Sequence, residues 1–297
     1  MSDPRAKTLI SVADLVIALE ARTPRALDAR APILLLDVRD DAAAPADRPR
    51  IPGAILVNLA SDFSGPASQA GGKRPLPAIE ALQQKAQGWG INPDSLVVVY
   101  DAQDSMQAAR AWWTLRWAGL ANVRLLDGGL TAWLAAGRPV TTEPAPAPKP
   151  GSALLHAGHM PTLDADEAAR LAKESVLLDA RGQANHAAGH IPASLHAPTS
   201  DNVTASGRFK SSEDLRARFA PLGVLDAAQV GVYCGSGNAA AHEVAALSLL
   251  GLAPALYVGS WSAWSADSAR PVETSADPSR PVATDDAAPE KRSGTNG

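Results

Sequence analysis

The sequence predicts an α/β protein built as two tandem copies of one domain, each a mainly parallel sheet flanked by helices. Internal self-similarity is the first observation behind this. Residues 34–39 (LLLDVR) answer 176–181 (VLLDAR), and 51–54 (IPGA) answer 191–194 (IPAS). Likewise 98–102 (VVYDA) answer 231–235 (GVYCG), and 128–133 (GGLTAW) answer 259–264 (GSWSAW). The matches stay collinear while their offset shrinks slowly, as expected of a duplicated unit of roughly 120 to 140 residues with small deletions in the second copy. The second observation is the length of the apolar runs. Residues 33–36 and 96–100 are short and unbroken, like strands buried on both faces. Stretches with helical patterning lie between such runs, so strand and helix alternate.

Taken along the chain, 11–21 (SVADLVIALEA) opens on a serine suited to cap a helix. Residues 105–118 (SMQAARAWWTLRWA) form another helix, stopped by Gly119. Trp112, Trp113 and Trp117 fall on it at spacings that suit core and interdomain packing better than a stacking platform for bases or sugars. A proline-rich stretch without hydrophobic period, 141–151, reads as an extended linker between a first domain, 1–140, and a second, 152–266. In the second domain 230–234 read as a buried strand and 238–250 (NAAAHEVAALSLL) as a helix ending at Gly251. From 267 to 297 large apolar residues almost vanish, and a disordered tail is expected there.

Composition removes several function classes. The 297 residues are 46% hydrophobic and carry a net charge of -4, so no general positive field exists to gather nucleic acid or anionic lipid. Residues 1–10 lack the basic and apolar regions of a secretory signal, and no apolar run approaches the ~20 residues of a membrane span, so a cytoplasmic protein is expected. Cys234 is the single cysteine, which forbids an internal disulfide and any cysteine-based zinc cluster within one chain. The pairs His156/His159 and His186/His190 have ligand-like spacing, and His196 lies nearby. None comes with a clear carboxylate or thiolate set, so no metal is predicted.

The lone cysteine is placed for chemistry. It closes a buried strand and is followed by Gly235, Ser236 and Gly237, then by a helix beginning near Asn238 and Ala239. Backbone N–H groups and the helix dipole favour negative charge at such a junction, which suits a thiolate nucleophile. The two glycines let the loop curl with its N–H groups inward, a cradle for an anion or a charged sulfur. A buried, inert cysteine is the competing reading, and its position immediately ahead of a Gly-Ser-Gly turn speaks against it. Ser236 either hydrogen-bonds a donor or satisfies the turn, and the sequence does not choose between them.

These motifs together resemble the two-domain rhodanese family of thiosulfate and 3-mercaptopyruvate sulfurtransferases. Cys234-Gly-Ser-Gly-Asn-Ala239 is similar to the family's six-residue active loop, and its neutral start is closer to the mercaptopyruvate type. The Asp-x-Arg of Asp37/Arg39 and Asp179/Arg181, the Ile-Pro-Gly at 51–53, Tyr100-Asp101 and the Asp-Gly-Gly at 127–129 match as well. The resemblance implies a first copy that is inactive, with Asp101 at the cysteine position, and a second that carries sulfur as a Cys234 persulfide. It implies transfer from a small anionic donor, thiosulfate or 3-mercaptopyruvate, to cyanide, a thiol or thioredoxin, without metal or organic cofactor. The Asp-x-Arg pair is implied to brace the sheet more than to touch a donor.

Departures from the family pattern bear on the donor. Where an arginine usually follows four residues after the Asp-x-Arg arginine, this chain has Asn185, and 187–190 runs straight into Ile191-Pro192 without a further insertion. Arg74, in the first domain, is the candidate to replace that charge across the cleft. Ala60 and Arg74 stand where an aspartate and a histidine relay a proton in mercaptopyruvate enzymes, so no relay is expected. Substrate contacts are therefore assigned to Arg74, Arg181 and Asn185. His242, eight residues past Cys234 and about two helical turns on, reads as packing and not as a base. A phosphatase loop would close on an arginine six residues after the cysteine, where Ala240 stands. The serious rival is a persulfide carrier or sensor with a degenerate donor site.

Overall fold

The computed structural model describes residues 3–21, 32–40 and 48–275. Two five-stranded sheets form its frame. The first contains β1 (Leu9–Ile10), β2 (Ile33–Arg39), β3 (Ile55–Asn58), β4 (Leu96–Tyr100) and β5 (Val123–Leu126), in the order β1-β5-β4-β2-β3. The second contains β6 (Thr162–Leu163), β7 (Val176–Asp179), β8 (Leu195–His196), β9 (Val230–Tyr233) and β10 (Ala255–Tyr257), in the order β6-β10-β9-β7-β8. The two orders are the same once each domain is counted from its own first strand, and every strand pair is parallel. Duplication of sequence is thus duplication of topology. All four residues of β7 and of β9 are buried, which is why these runs are apolar without alternation.

The repeated motifs form one brace used twice. In the first copy Arg39 donates through Nε and Nη2 to Asp37 Oδ2 at 3.1 and 2.6 Å, while the Tyr100 hydroxyl accepts the Ile51 N–H at 3.1 Å. In the second copy Arg181 grips Asp179, and the Tyr233 hydroxyl accepts from Ile191 N at 3.1 Å and donates to Asp179 Oδ2 at 2.9 Å. Tyrosine from the central strand thereby pins the Ile-Pro turn beside the Asp-x-Arg pair.

Ser11 caps the helix Val12–Glu20, its hydroxyl accepting from Asp14 N at 3.0 Å, as its sequence predicts. The helix expected over 105–118 begins later, at Ala108–Trp117. Asp101 is the reason: its carboxylate takes the N–H groups of Ser105, Gln107 and Ala108, so the chain first wraps around it. Trp112 and Trp113 are fully buried, and replacing either with alanine would cost about 3–5 kcal/mol. One apolar cluster runs from Val97, Val99 and Trp113 into Val232, Ala241 and Val244, so the two domains share a core. Its spine is the contact between Ala108–Trp117 and Asn238–Ser248.

Between the sheets the chain lies extended against the first domain. Thr141 exchanges both backbone hydrogen bonds with Arg50 at 2.9 Å, and Gly151 N donates to Gln87 O at 2.7 Å. The expectation of a disordered tail from 267 is corrected for its first residues. Residues 267–275 are docked: Trp264 Nε1 donates to Pro271 O at 2.9 Å, and His190 N to Glu273 O at 2.8 Å. A few specific hydrogen bonds to a finished domain suffice there, although the stretch has little apolar material of its own. The remainder of that expectation, 276–297, lies outside the described residues. No helix among the described residues is long and apolar enough to cross a membrane.

Candidate active site

Cys234 follows directly on β9 and is 2% exposed. Gly237, in the left-handed region at φ 93°, turns the chain into the helix Asn238–Ser248, and its N–H donates to Cys234 Sγ at 3.1 Å. Residues 259–264 clamp the stem of this loop. Trp261 N donates to Cys234 O at 2.8 Å and Ser262 N to Gly235 O at 3.0 Å. The Ser260 hydroxyl accepts from Cys234 N at 3.2 Å and donates to Tyr257 O at 2.8 Å. Ser260 adopts φ 52° to do so, a conformation that L side chains rarely take and that the surrounding hydrogen bonds enforce. The first copy has the same clamp, with Leu130 and Thr131 donating to the carbonyls of Asp101 and Ala102 at 2.9 Å.

Above the sulfur opens a cleft of about 560 Å³. Cys234, Gly235 and Ala239 lie on one side, Arg181, Asn185 and Trp261 on others, and Met106 of the first domain completes it. Arg181 is the only charged side chain among its lining residues. Its Nε and Nη2 bond Asp179, Nη2 also reaches Gly189 O at 2.7 Å, and its guanidinium lies 4.6 Å over the Trp261 ring. Burial alone would raise the pKa of Asp179. The hydrogen bonds and charge of Arg181, with His186 Nδ1 at 2.9 Å, outweigh it and hold the carboxyl below the usual range. Arg181 is thus both a brace and a cation facing the cleft.

The other expected residues fall in different places. Asn185 is exposed on the rim. Arg74 is bound to Asp40 by contacts of 2.6 and 2.8 Å and does not line the cleft. Its backbone carbonyl instead accepts from Arg110 at 3.0 Å. Ser236 is half-buried and makes no hydrogen bond among the described residues.

His242 is fully buried behind the cleft. Its Nδ1 lies 2.7 Å from Thr199 Oγ1 and its Nε2 3.0 Å from Asp104 O of the first domain. A carbonyl only accepts, so Nε2 carries the proton and Nδ1 accepts from the Thr199 hydroxyl. Burial pulls the His242 pKa down to about 4, helped by Arg218 and opposed by Asp104. Next to it Glu243 is held by Asn202 at 2.6 Å and Arg218 at 2.9 Å. His186, His190 and His196 stack with centroids 3.8 and 4.7 Å apart, and each bonds a protein oxygen. No group of three His, Cys, Asp or Glu among the described residues is arranged to hold a metal ion.

Sequence reasoning missed Ser260, Thr199 and Met106. Ser260 and Trp261 were marked only as a repeat. The position of GSWSAW directly after the strand beside the cysteine strand is the signal that they hold its loop.

The rhodanese-like domain family matches residues 22–136 and again 164–267. SseB of Mycobacterium tuberculosis, provisionally named a thiosulfate sulfurtransferase, is 37% identical over 90% of this chain and 97% of its own. The 3-mercaptopyruvate sulfurtransferase of Escherichia coli is 33% identical over 75% of this chain and 83% of its own. TtuD of Thermus thermophilus, named a sulfur carrier protein, is 30% identical over 73% and 83%. The solved structure of YnjE superimposes with a TM-score of 0.79 at 24% identity, covering 92% of this chain and 70% of that one, a likeness of fold. The chain belongs to the rhodanese family.

Proposed function

We propose that this protein moves a sulfane sulfur from a small anionic donor, thiosulfate or 3-mercaptopyruvate, to cyanide or a thiol acceptor through a persulfide on Cys234. The observation that carries the reading is Cys234 itself, seated at the end of β9 on the floor of a cleft, with the Gly237 N–H on its sulfur. Relatives spanning most of the chain are named sulfurtransferases.

With thiosulfate, the thiolate attacks the outer sulfur, a new S–S bond forms at Cys234, and the old S–S bond breaks with its electron pair leaving on sulfite. With 3-mercaptopyruvate the C–S bond breaks instead, and the thiol proton passes to the departing carbon to give pyruvate. In the second half-reaction cyanide attacks the outer sulfur, thiocyanate leaves, and the thiolate returns. A thiol, free or on thioredoxin, accepts the sulfur in the same way as its own persulfide. Loop N–H groups stabilise the sulfur anion, and Arg181 attracts the donor's negative charge. Asp101 cannot carry sulfur, so the first copy serves as a wall. No second thiol exists in the chain to resolve the persulfide, which is why the acceptor comes from outside.

One observation favours a second reading, a carrier or sensor that passes sulfur to another protein. Asn185 leaves the cleft with Arg181 as its single cation, and TtuD bears the name of a carrier. The deciding experiment runs thiosulfate and 3-mercaptopyruvate in parallel with cyanide, reading thiocyanate, on wild type and Cys234→Ser. Turnover that vanishes in the variant is expected and names the donor. No turnover with either donor, together with a sulfur-mass adduct on Cys234 after polysulfide, would replace this reading with the carrier.

A further inference from the structure

Arg110 lies on Ala108–Trp117, the helix with which the first domain packs against Asn238–Ser248 of the second. It is 0% exposed. Arginine is almost never buried without an anionic partner, because desolvation of the cation must be offset. Burial pulls its pKa down to about 10, Cys234 acts against that, and Arg74 adds to it. Yet Arg110 forms no ion pair with a carboxylate among the described residues. Its Nη2 donates to the Arg74 carbonyl at 3.0 Å, while Nε and Nη1 are sealed from solvent with no hydrogen-bond partner among the described residues.

Of the two, Nη1 lies against the active loop. A Cβ on Gly237 would come within 2.8 Å of Arg110 Nη1, and Gly237 is the residue whose N–H contacts Cys234 Sγ. Residues 235–239 contain no cation, and neither does position 185. The matching place on the second helix holds Glu243, also fully buried, but Glu243 has Arg218 and Asn202 as partners. One copy's buried charge is satisfied locally. The other's is aimed across the domain boundary.

We propose that Arg110 is the counter-charge of the active loop, a positioning residue supplied by the first domain that holds the Cys234 sulfur as an anion, first as thiolate and then as persulfide. The first domain is then half of the site as well as its wall. The inference rests on the proposed role of Cys234 as sulfur carrier. Gly237, which its positive φ already requires, also leaves the guanidinium room against the loop.

The test measures alkylation of the single thiol by iodoacetamide in full-length wild type, Arg110→Gln and Arg110→Lys, with folding checked by circular dichroism. At pH 6.5 the glutamine variant is expected to react about tenfold more slowly, because fewer molecules hold the thiolate. At pH 9.5 the gap closes, since the thiol then ionises unaided, and the lysine variant stays within about threefold of wild type at both. Equal slowing at both pH values, or a lysine variant as slow as glutamine, would overturn the proposal as a matter of access or packing. Should the glutamine variant not fold, wild type carries the test between 0.05 and 1 M salt. A buried counter-charge is not screened, so the rate at pH 6.5 moves by less than about threefold, whereas a fall of about tenfold would assign the role to exposed charges. Alkylation needs no sulfur donor. A failure here leaves the transfer reaction standing, and a failure of turnover leaves this measurement intact.

Discussion

Asp101 and Cys234 occupy the same position in two copies of one loop, and the copies show what that loop is built to hold. The Asp101 carboxylate accepts four backbone N–H groups, from Gln103, Ser105, Gln107 and Ala108, at 2.8 to 3.1 Å. In the first domain the cradle is filled by a carboxylate of its own chain. In the second, Cys234 Sγ accepts one N–H, from Gly237. The first copy is thus a filled anion cradle, and the second presents a sulfur at the same position.

The plug is structural, which gives a first prediction. Asp101→Ala leaves four N–H groups without their acceptor in the loop at the domain boundary, those of Ser105 and Ala108 buried. A loss of about 2–4 kcal/mol in urea unfolding is expected, with the loop's rearrangement and water recovering the rest. Sulfur transfer at Cys234 should persist at temperatures where the variant is folded.

Arg181 and its counterpart Arg39 allow bracing to be separated from donor contact. Both grip the aspartate two residues before them, but only Arg181 lines the cleft. Lysine cannot reproduce the forked contact, so Arg39→Lys and Arg181→Lys should each cost about 1–2 kcal/mol of stability. Only Arg181→Lys should raise the donor KM, by about tenfold. Steady-state kinetics on the two variants decides it, and equal KM values would confine Arg181 to the sheet.

Much of this architecture was legible in the sequence because its signals are local. Unbroken apolar runs such as 96–100 became buried parallel strands, and the repeated Asp-x-Arg became the repeated brace. Cys234 was marked by a glycine turn between strand and helix. Contacts across the domain boundary were not legible. Arg110 sits in a run of alanine and tryptophan, and nothing local reveals that its guanidinium meets Gly237, more than a hundred residues on. Arg74 failed to reach the cleft for a similar reason: Asp40, far away in sequence, holds it. The start of the tail likewise gained its order from His190 and Trp264.

Ser260 supplies the third prediction. Its hydroxyl bridges Cys234 N and Tyr257 O while its backbone adopts a positive φ. Ser260→Ala removes both bonds and leaves the Cys234 N–H unpaired. A stability loss of about 1–3 kcal/mol is expected, with kcat falling about tenfold and donor KM little changed, because the loop and not the donor pocket is disturbed. A larger effect on KM than on kcat would place Ser260 in donor binding instead.

The last prediction concerns pH and runs through His242. Its folded-state pKa near 4 lies below the ordinary value of about 6.5, so the fold favours the neutral ring. A depressed pKa gives stability that is fully present above the unfolded value and erodes as pH falls toward the folded one. Between pH 7 and 4 His242 should therefore withdraw about 3 kcal/mol. Asp104 and Arg218 act on the ring with opposite signs, and Glu243 sits beside it, so the wild-type slope contains other titrations. The difference from His242→Gln isolates the ring: urea unfolding at pH 7 and 4 should show wild type losing about 3 kcal/mol more than the variant over that span. Parallel curves would mean that Nδ1 is not desolvated as the Thr199 contact requires. Protonating this ring at Nδ1 takes the acceptor from the Thr199 hydroxyl, which lines the cleft, while the Nε2–H bond to the Asp104 carbonyl of the first domain stays. Acid should therefore act first on the Thr199 side of the cleft.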